Sequence, residues 1–180
     1  MDSPLDHHAS AFDRLLRPHL DRLYRLAYRL TGSKAEAEDL FQDVLVKVYR
    51  RVDELCGIRE PGSWLCRIMY NHFIDNRRRF ARQRLVSVDA AELPGGLDGL
   101  PGNDDPQRSA ERAGDIMCLE RALAALSDGH RTVVLLHDVE GYKLSEIQDL
   151  TGEPLGTLKS RLHRARARLR DLLAADGTFF

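Results

Sequence analysis

The chain lacks most of what marks a secreted, metal-bound or membrane-spanning protein. Its three cysteines, Cys56, Cys66 and Cys118, lie far apart, with no C-x-x-C pair and no histidine at a zinc-ligand spacing. Dispersed thiols, odd in number, argue against a disulfide framework and leave reduced, mostly buried side chains as the expectation. No apolar run approaches the roughly 18 residues needed to cross a bilayer. The opening "MDSPLDHHAS" is acidic and unlike a signal peptide, so a cytoplasmic chain without membrane insertion is expected. Convincing strand patterns are missing. So are phosphate-binding glycine loops, nucleophile elbows and metal-ligand clusters. That leaves no catalytic residue, no metal and no cofactor to assign.

One further absence is the most informative. Between Lys159 and Arg170 there are six cations, Lys159, Arg161, Arg164, Arg166, Arg168 and Arg170, and no acid until Asp171. Like charges repel along a helix, so such a run implies a partner that supplies negative charge, and nucleic acid fits best. "YKLSEIQDLTG" just before it reads as a short helix and a glycine turn, and the whole describes a helix-turn-helix. At about 100° per residue, Leu155, Leu158, Leu162, Ala165, Leu169 and Leu172 share one face, which must pack on the protein. Ser160, His163, Arg164 and Ala167 lie opposite. Lys159, Arg166 and Arg170 flank that outer face on one side, with Arg161 and Arg168 on the other. Short polar groups at base edges and long cations at phosphate walls suit a major groove.

What is present elsewhere is helical. The net charge of -1 hides a cluster, Arg77, Arg78, Arg79, Arg82 and Arg84, followed by a mostly acidic stretch from Val86 to Asp115. Apolar spacing predicts a helix from Ala11 to Leu30, ended by Thr31-Gly32. Ser33 and Glu36 predict a capping box for a second helix running to about Val52, with Ala37, Leu40, Phe41, Val44 and Val48 inward. Its other face gathers Asp39, Gln42, Asp43, Val46 and Arg50, a mixture suited to docking on another helix. A loop is expected from Cys56 to Gly62, then a third helix capped near Ser63. Leu65, Met69, His72, Phe73 and Phe80 form its inner side. Trp64, Arg67, Asn71, Asp75 and Arg78 form an outer stripe, in which Trp64 either fills the core or stacks on an unpaired base.

From 85 to 114 the periodicity fades into "ELPGGLDGLPGNDDPQ", read as a flexible acidic linker. A helix through Leu126, a Ser127-capped helix and the helix-turn-helix follow. The expected fold is all-α: two small helical domains, 1–84 and 115–176, the second a four-helix helix-turn-helix domain.

In this order the pieces resemble a bacterial RNA polymerase sigma factor of the extracytoplasmic-function (ECF, group 4) type. "AEAEDLFQDVLVKVYR" resembles the helix of that family which binds core polymerase, and "SWLCRIMYNHFIDNRRR" the segment that reads and melts the minus-ten element. "ALAALSDGHRTVVLLHDVEGYKLSEIQDLTGEPLGTLKSRLHRARARL" is similar to the minus-thirty-five-binding domain. The resemblance implies a promoter-specific initiation factor that is not an enzyme. Its implied partners are promoter DNA, core RNA polymerase (the β′ clamp helices and the β flap) and an anti-sigma factor, with a monomer when free of them.

By residue, the resemblance places Asp39, Gln42, Asp43 and Val46 against the polymerase. Lys159, Ser160, His163 and Arg164 fall in the minus-thirty-five major groove, with Arg161, Arg166 and Arg168 on phosphates. The loop from Ile58 to Ser63, with Trp64 and Asn71, lines a pocket for a flipped minus-ten base; Arg67, Arg77 and Arg78 join that surface, the arginine cluster holding the opened strand. Three family departures stand out: the loop "REPGSW" has no aromatic before the tryptophan where family members often carry one, Lys143 sits where a Ser or Thr cap is common, and Glu153 is expected to face the DNA backbone and lower affinity. Two alternatives remain: a conventional helix-turn-helix transcriptional regulator acting on duplex DNA without polymerase, and a DNA-processing enzyme built on His72 with Asp75 or His137 with Asp138.

Overall fold

A computed structural model describes residues 12–84 and 106–175, with side chains over 12–80 and 114–175. The chain divides into two units, Met1–Pro94 and Gly95–Phe180.

In the first unit, a helical segment at 12–16 gives way to a 3-10 turn, Arg17–His19, before α1, Leu20–Thr31. The spacing predicts one helix here; Pro18, which has no amide N–H to donate, breaks it. α1 stops where expected. Gly32 takes the left-handed conformation (φ 72°), its N–H donates to the Tyr28 carbonyl at 2.8 Å, and the Thr31 hydroxyl donates to the Ala27 carbonyl at 3.0 Å. Glycine adopts that backbone without a Cβ penalty.

Ser33 is the N-cap of α2, Lys34–Tyr49, but its side chain makes no cap bond and the expected box with Glu36 does not form. Ser33 instead brings its own N–H to the Thr31 hydroxyl at 3.4 Å. α2 ends at Tyr49 rather than Val52, and a separate short helix α3, Val52–Cys56, follows, burying Val52 and Leu55. The loop is therefore shorter than expected. α4, Pro61–Arg84, starts at the proline, whose missing N–H costs nothing in a first turn.

α1, α2 and α4 pack on one another. Leu23, Leu26 and Ala27 of α1 and Ala37, Leu40, Val44 and Val48 of α2 are buried as their spacing predicts. α4 departs from its pattern. Leu65, Met69 and Phe73 are buried, but so are Cys66, Ile68 and Tyr70, so the helix is covered on two sides. Phe80, expected inside, is 63% exposed. His72, also expected inside, is half-buried, with its Nε2 3.1 Å from Asp43 Oδ2 on α2.

In the second unit α5, Pro106–Ala124, makes 106–114 helical where a linker is expected. The rest of that linker, 85–105, lies outside the described residues, as do 1–11, 176–180 and the side chains of Arg82 and Arg84. Arg131 closes the end of α5, donating to the carbonyls of Leu123, Ala124 and Leu126 at 3.0, 2.8 and 3.1 Å. A cation there also complements the helix dipole.

α6, Asp128–Val134, follows with Ser127 as N-cap; the Ser127 hydroxyl meets His130 Nδ1 at 3.0 Å instead of capping the backbone. α6 then widens into a π turn, Leu135–Val139, in which the Glu140 N–H reaches the Leu135 carbonyl at 2.9 Å. α7 is Leu144–Thr151 and α8 is Leu155–Ala175. α5, α6 and α7 all pack on α8. Among the described residues there is no strand, and the all-α expectation holds.

Candidate nucleic-acid interface

The turn between α7 and α8 fixes how α8 is presented. α7 starts with the Lys143 N–H donating to Glu146 Oε2 at 2.7 Å, the reciprocal half of a capping box, while the bond a Ser or Thr at Lys143 would accept from the backbone is not made. α7 ends as α1 does: the Thr151 hydroxyl donates to the Ile147 carbonyl at 2.8 Å, and Gly152 (φ 73°) donates its N–H to Gln148 at 2.8 Å. α8 then buries Leu158, Leu162, Ala165 and Leu169, with Leu155 and Leu172 half-buried. The predicted inner face is correct throughout.

The outer face divides into free and engaged cations. Lys159, His163, Arg164, Arg168 and Arg170 are exposed and have no ion-pair partner among the described residues. Ser160 is exposed, its hydroxyl donating back to the Thr157 carbonyl at 2.9 Å. Ala167 is half-buried, not outermost. Arg161 pairs with Glu153 through Nη1, which lies 2.6 Å from one carboxylate oxygen and closer to the other. Its guanidinium lies over α6, where a Cβ on Gly129 would come 3.1 Å from Arg161 Cζ. Arg166 forks onto Asp138, with bonds of 3.0 Å and 2.5 Å, and this hydrogen bonding raises its pKa above the ordinary arginine value.

The inference that all six cations want an outside partner is therefore too generous: two have one inside the unit. Glu153 is engaged by Arg161 rather than aimed outward. Nothing local in the string signals the Asp138 pair, since 28 residues separate its members.

In the first unit, Asp39, Gln42, Asp43 and Val46 all stand exposed on one side of α2, Val46 at 53%. Asp43 Oδ2 also accepts from Nε2 of the half-buried His72 of α4 when the ring carries its proton there, which joins this face to the neighbouring helix. On α4, Arg67, Asn71, Asp75 and Arg78 form the predicted exposed row. Arg77 is exposed and lies over the Phe73 ring at 5.5 Å. Ile58 and Ser63 are half-buried beside the start of α4. Trp64 is half-buried too, with Arg51 over its ring at 5.4 Å. Of the thiols, Cys56 is exposed while Cys66 and Cys118 are buried. His72 pairs with Asp43, not with Asp75, whereas His137 Nδ1 does lie 3.3 Å from Asp138 Oδ1, a carboxylate that Arg166 holds as well. Neither histidine-aspartate pair is an isolated dyad.

Comparison with known proteins finds one family model in each unit. Residues 15–84 match the family model for Sigma-70 region 2, and residues 116–169 that for Sigma-70, region 4. The chain is 40% identical over 168 residues to the ECF RNA polymerase sigma factor SigE of Mycolicibacterium smegmatis, covering 91% of this chain and 62% of that protein. It is 32% identical over 171 residues to the ECF RNA polymerase sigma factor SigW of Bacillus subtilis, covering 91% and 89%. Among solved structures it resembles the sigma factor RpoE, co-crystallised with the anti-sigma factor NepR from Bartonella quintana. The TM-score is 0.67 at 29% identity, over 92% of this chain and 98% of that one. No helix among the described residues is long and apolar enough to cross a membrane. With both regions present and similarity along nearly its full length, the chain belongs to the ECF RNA polymerase sigma factors, proteins that direct the polymerase to promoters and are not themselves enzymes.

Proposed function

We propose a division of labour over three surfaces. The α2 face of Asp39, Gln42, Asp43 and Val46 docks on the β′ clamp helices of core RNA polymerase, and the second unit meets the β flap. The α4 row of Trp64, Arg67 and Asn71, with Ile58 and Ser63 at its head and Arg77 and Arg78 beyond, captures the opened minus-ten strand. On α8, Lys159, Ser160, His163 and Arg164 read the minus-thirty-five major groove, while Arg168 holds phosphate. Arg161 and Arg166 reach phosphate after parting from Glu153 and Asp138. An anti-sigma factor, the partner seen with the Bartonella relative, covers some of these surfaces when the protein is held inactive.

The observation that carries the reading is the outer row of α8. Lys159, His163 and Arg164 stand exposed and unpaired opposite a fully occupied apolar stripe. Binding energy for the opened strand then offsets the few kcal/mol that unstacking a base costs. Run-off transcription from a genomic library, with core polymerase and with or without this protein, tests the proposal. Transcripts that depend on the protein are expected, as is their loss on Asp43→Arg. Promoter binding of equal strength without polymerase would instead favour a conventional regulator.

A further inference from the structure

Trp64 is the single tryptophan of the chain and sits in the first turn of α4. Its ring is not bare. The Arg51 guanidinium lies over it, with Cζ 5.4 Å from the ring centroid, within the range where an aromatic face attracts a cation. Arg51 is also held from behind. Its Nε donates to Glu54 Oε1 at 3.0 Å and its Nη2 to Glu54 Oε2 at 2.6 Å, a fork on a carboxylate. Glu54 belongs to the first turn of α3, and Arg51 is the N-cap residue of that same helix, so the pair is locally fixed. Their mutual hydrogen bonding raises the Arg51 pKa and holds the Glu54 carboxyl below its usual range. The Arg51 side chain is 41% exposed, while Trp64 is half-buried. The partly exposed cation covers one face of the ring.

We infer that Arg51, clamped by Glu54, is a lid on the Trp64 ring face and sets the threshold at which an unpaired base stacks there. The inference rests on the proposed role of Trp64 in strand capture. A guanidinium and a base are both planar and compete for the same π surface. Contact of a cation with an exposed ring is worth a factor of about two to five in an equilibrium, less than base–aromatic stacking generally gives. The lid therefore yields to single-stranded DNA and filters weaker occupants. Arg51 is a positioning residue in this scheme, acting through Trp64.

Trp64 emission reads the lid directly in the full-length protein. Arg51→Ala should increase quenching of that emission by acrylamide in the absence of DNA. It should also tighten binding of a mixed-sequence single-stranded oligonucleotide, followed by Trp64 quenching, by about two- to five-fold. The sign is decisive, because loss of a positive charge alone weakens DNA binding. Glu54→Gln, which keeps the arginine, should move both readings the same way by less. Unchanged acrylamide quenching in Arg51→Ala overturns the lid as a structural feature. Quenching by DNA in the wild type, with equal or weaker binding by Arg51→Ala, overturns the lid and leaves the stacking role of Trp64 standing. No DNA-dependent change in emission in any of the three proteins overturns that role, and the lid with it.

Discussion

α4 and α8 are both long, arginine-rich helices, yet they use their surfaces in different ways. α8 buries a single stripe, repeats it every three or four residues, and leaves the rest of its circumference polar. α4 is buried on two sides at its centre and exposed towards its end, where Arg78, Arg79 and Phe80 all face solvent. Their charges differ as well. On α8 two arginines are neutralised by acids of the same unit, Glu153 and Asp138. On α4 Arg67, Arg78 and Arg79 are exposed, and the Arg77 guanidinium lies over the Phe73 ring. The charge available to DNA is thus not the charge written in the string. It is what remains after acids folded nearby are subtracted.

The largest expected effect tests the single-stripe half of the comparison. Leu162→Ala, at a site 5% exposed, should cost about 2–5 kcal/mol in the stability of the second unit, read by denaturant unfolding. A cost near zero would mean that the α8 stripe is not a packed core. Next come the free outer residues. Lys159→Ala and Arg164→Ala should each lose about 1–3 kcal/mol of discrimination between a cognate minus-thirty-five element and a scrambled one, measured by competition with polymerase present. Equal losses on both DNAs would demote these residues to phosphate contacts.

Smaller is the bridge between α2 and α4. His72→Phe should cost about 0.5–1.5 kcal/mol of first-unit stability through the lost bond to Asp43, and an unchanged unfolding midpoint would show the pair to be incidental. Smallest is the contrast between engaged and free arginines. Arg168→Ala should flatten the dependence of log binding constant on log salt by about 0.9, the weight of one phosphate contact. Glu153→Gln and Asp138→Asn should leave that dependence as steep or steeper while strengthening non-specific binding. If Asp138→Asn weakens binding instead, its carboxylate orients Arg166 towards DNA rather than withholding it.

Legibility followed the number of buried faces. On α8 and α2, one apolar side against one polar side let spacing identify both, including the exposed Val46 among Asp39, Gln42 and Asp43. On α4 a second covered side blurs the period, so spacing puts the exposed Phe80 inside and gives no sign that Cys66, Ile68 and Tyr70 are buried. Helix ends marked by Thr-Gly were readable because only glycine takes the left-handed turn cheaply. Ends that depend on side-chain bonding were not, and Ser33 and Ser127 cap by position without the expected bond. Pairs distant in sequence, Asp138 with Arg166 and Asp43 with His72, carry no local signature. The Arg51–Glu54 fork lies three residues apart and was open to discovery; what hid it was its neighbour, Trp64, thirteen positions further on.

The π turn at Leu135–Val139 has a consequence of its own. An α-helix turns about 100° per residue, and a wide turn absorbs one extra residue without ending the helix. Such a turn converts length into angle. Asp138 stands within it, so its aim at Arg166 depends on the chain holding one residue more than a regular helix needs. Deleting one residue from this turn would preserve helix, hydrophobicity and composition, yet rotate the carboxylate off its arginine. In aligned relatives, a single-residue gap at this point would be a change of direction rather than a change of size.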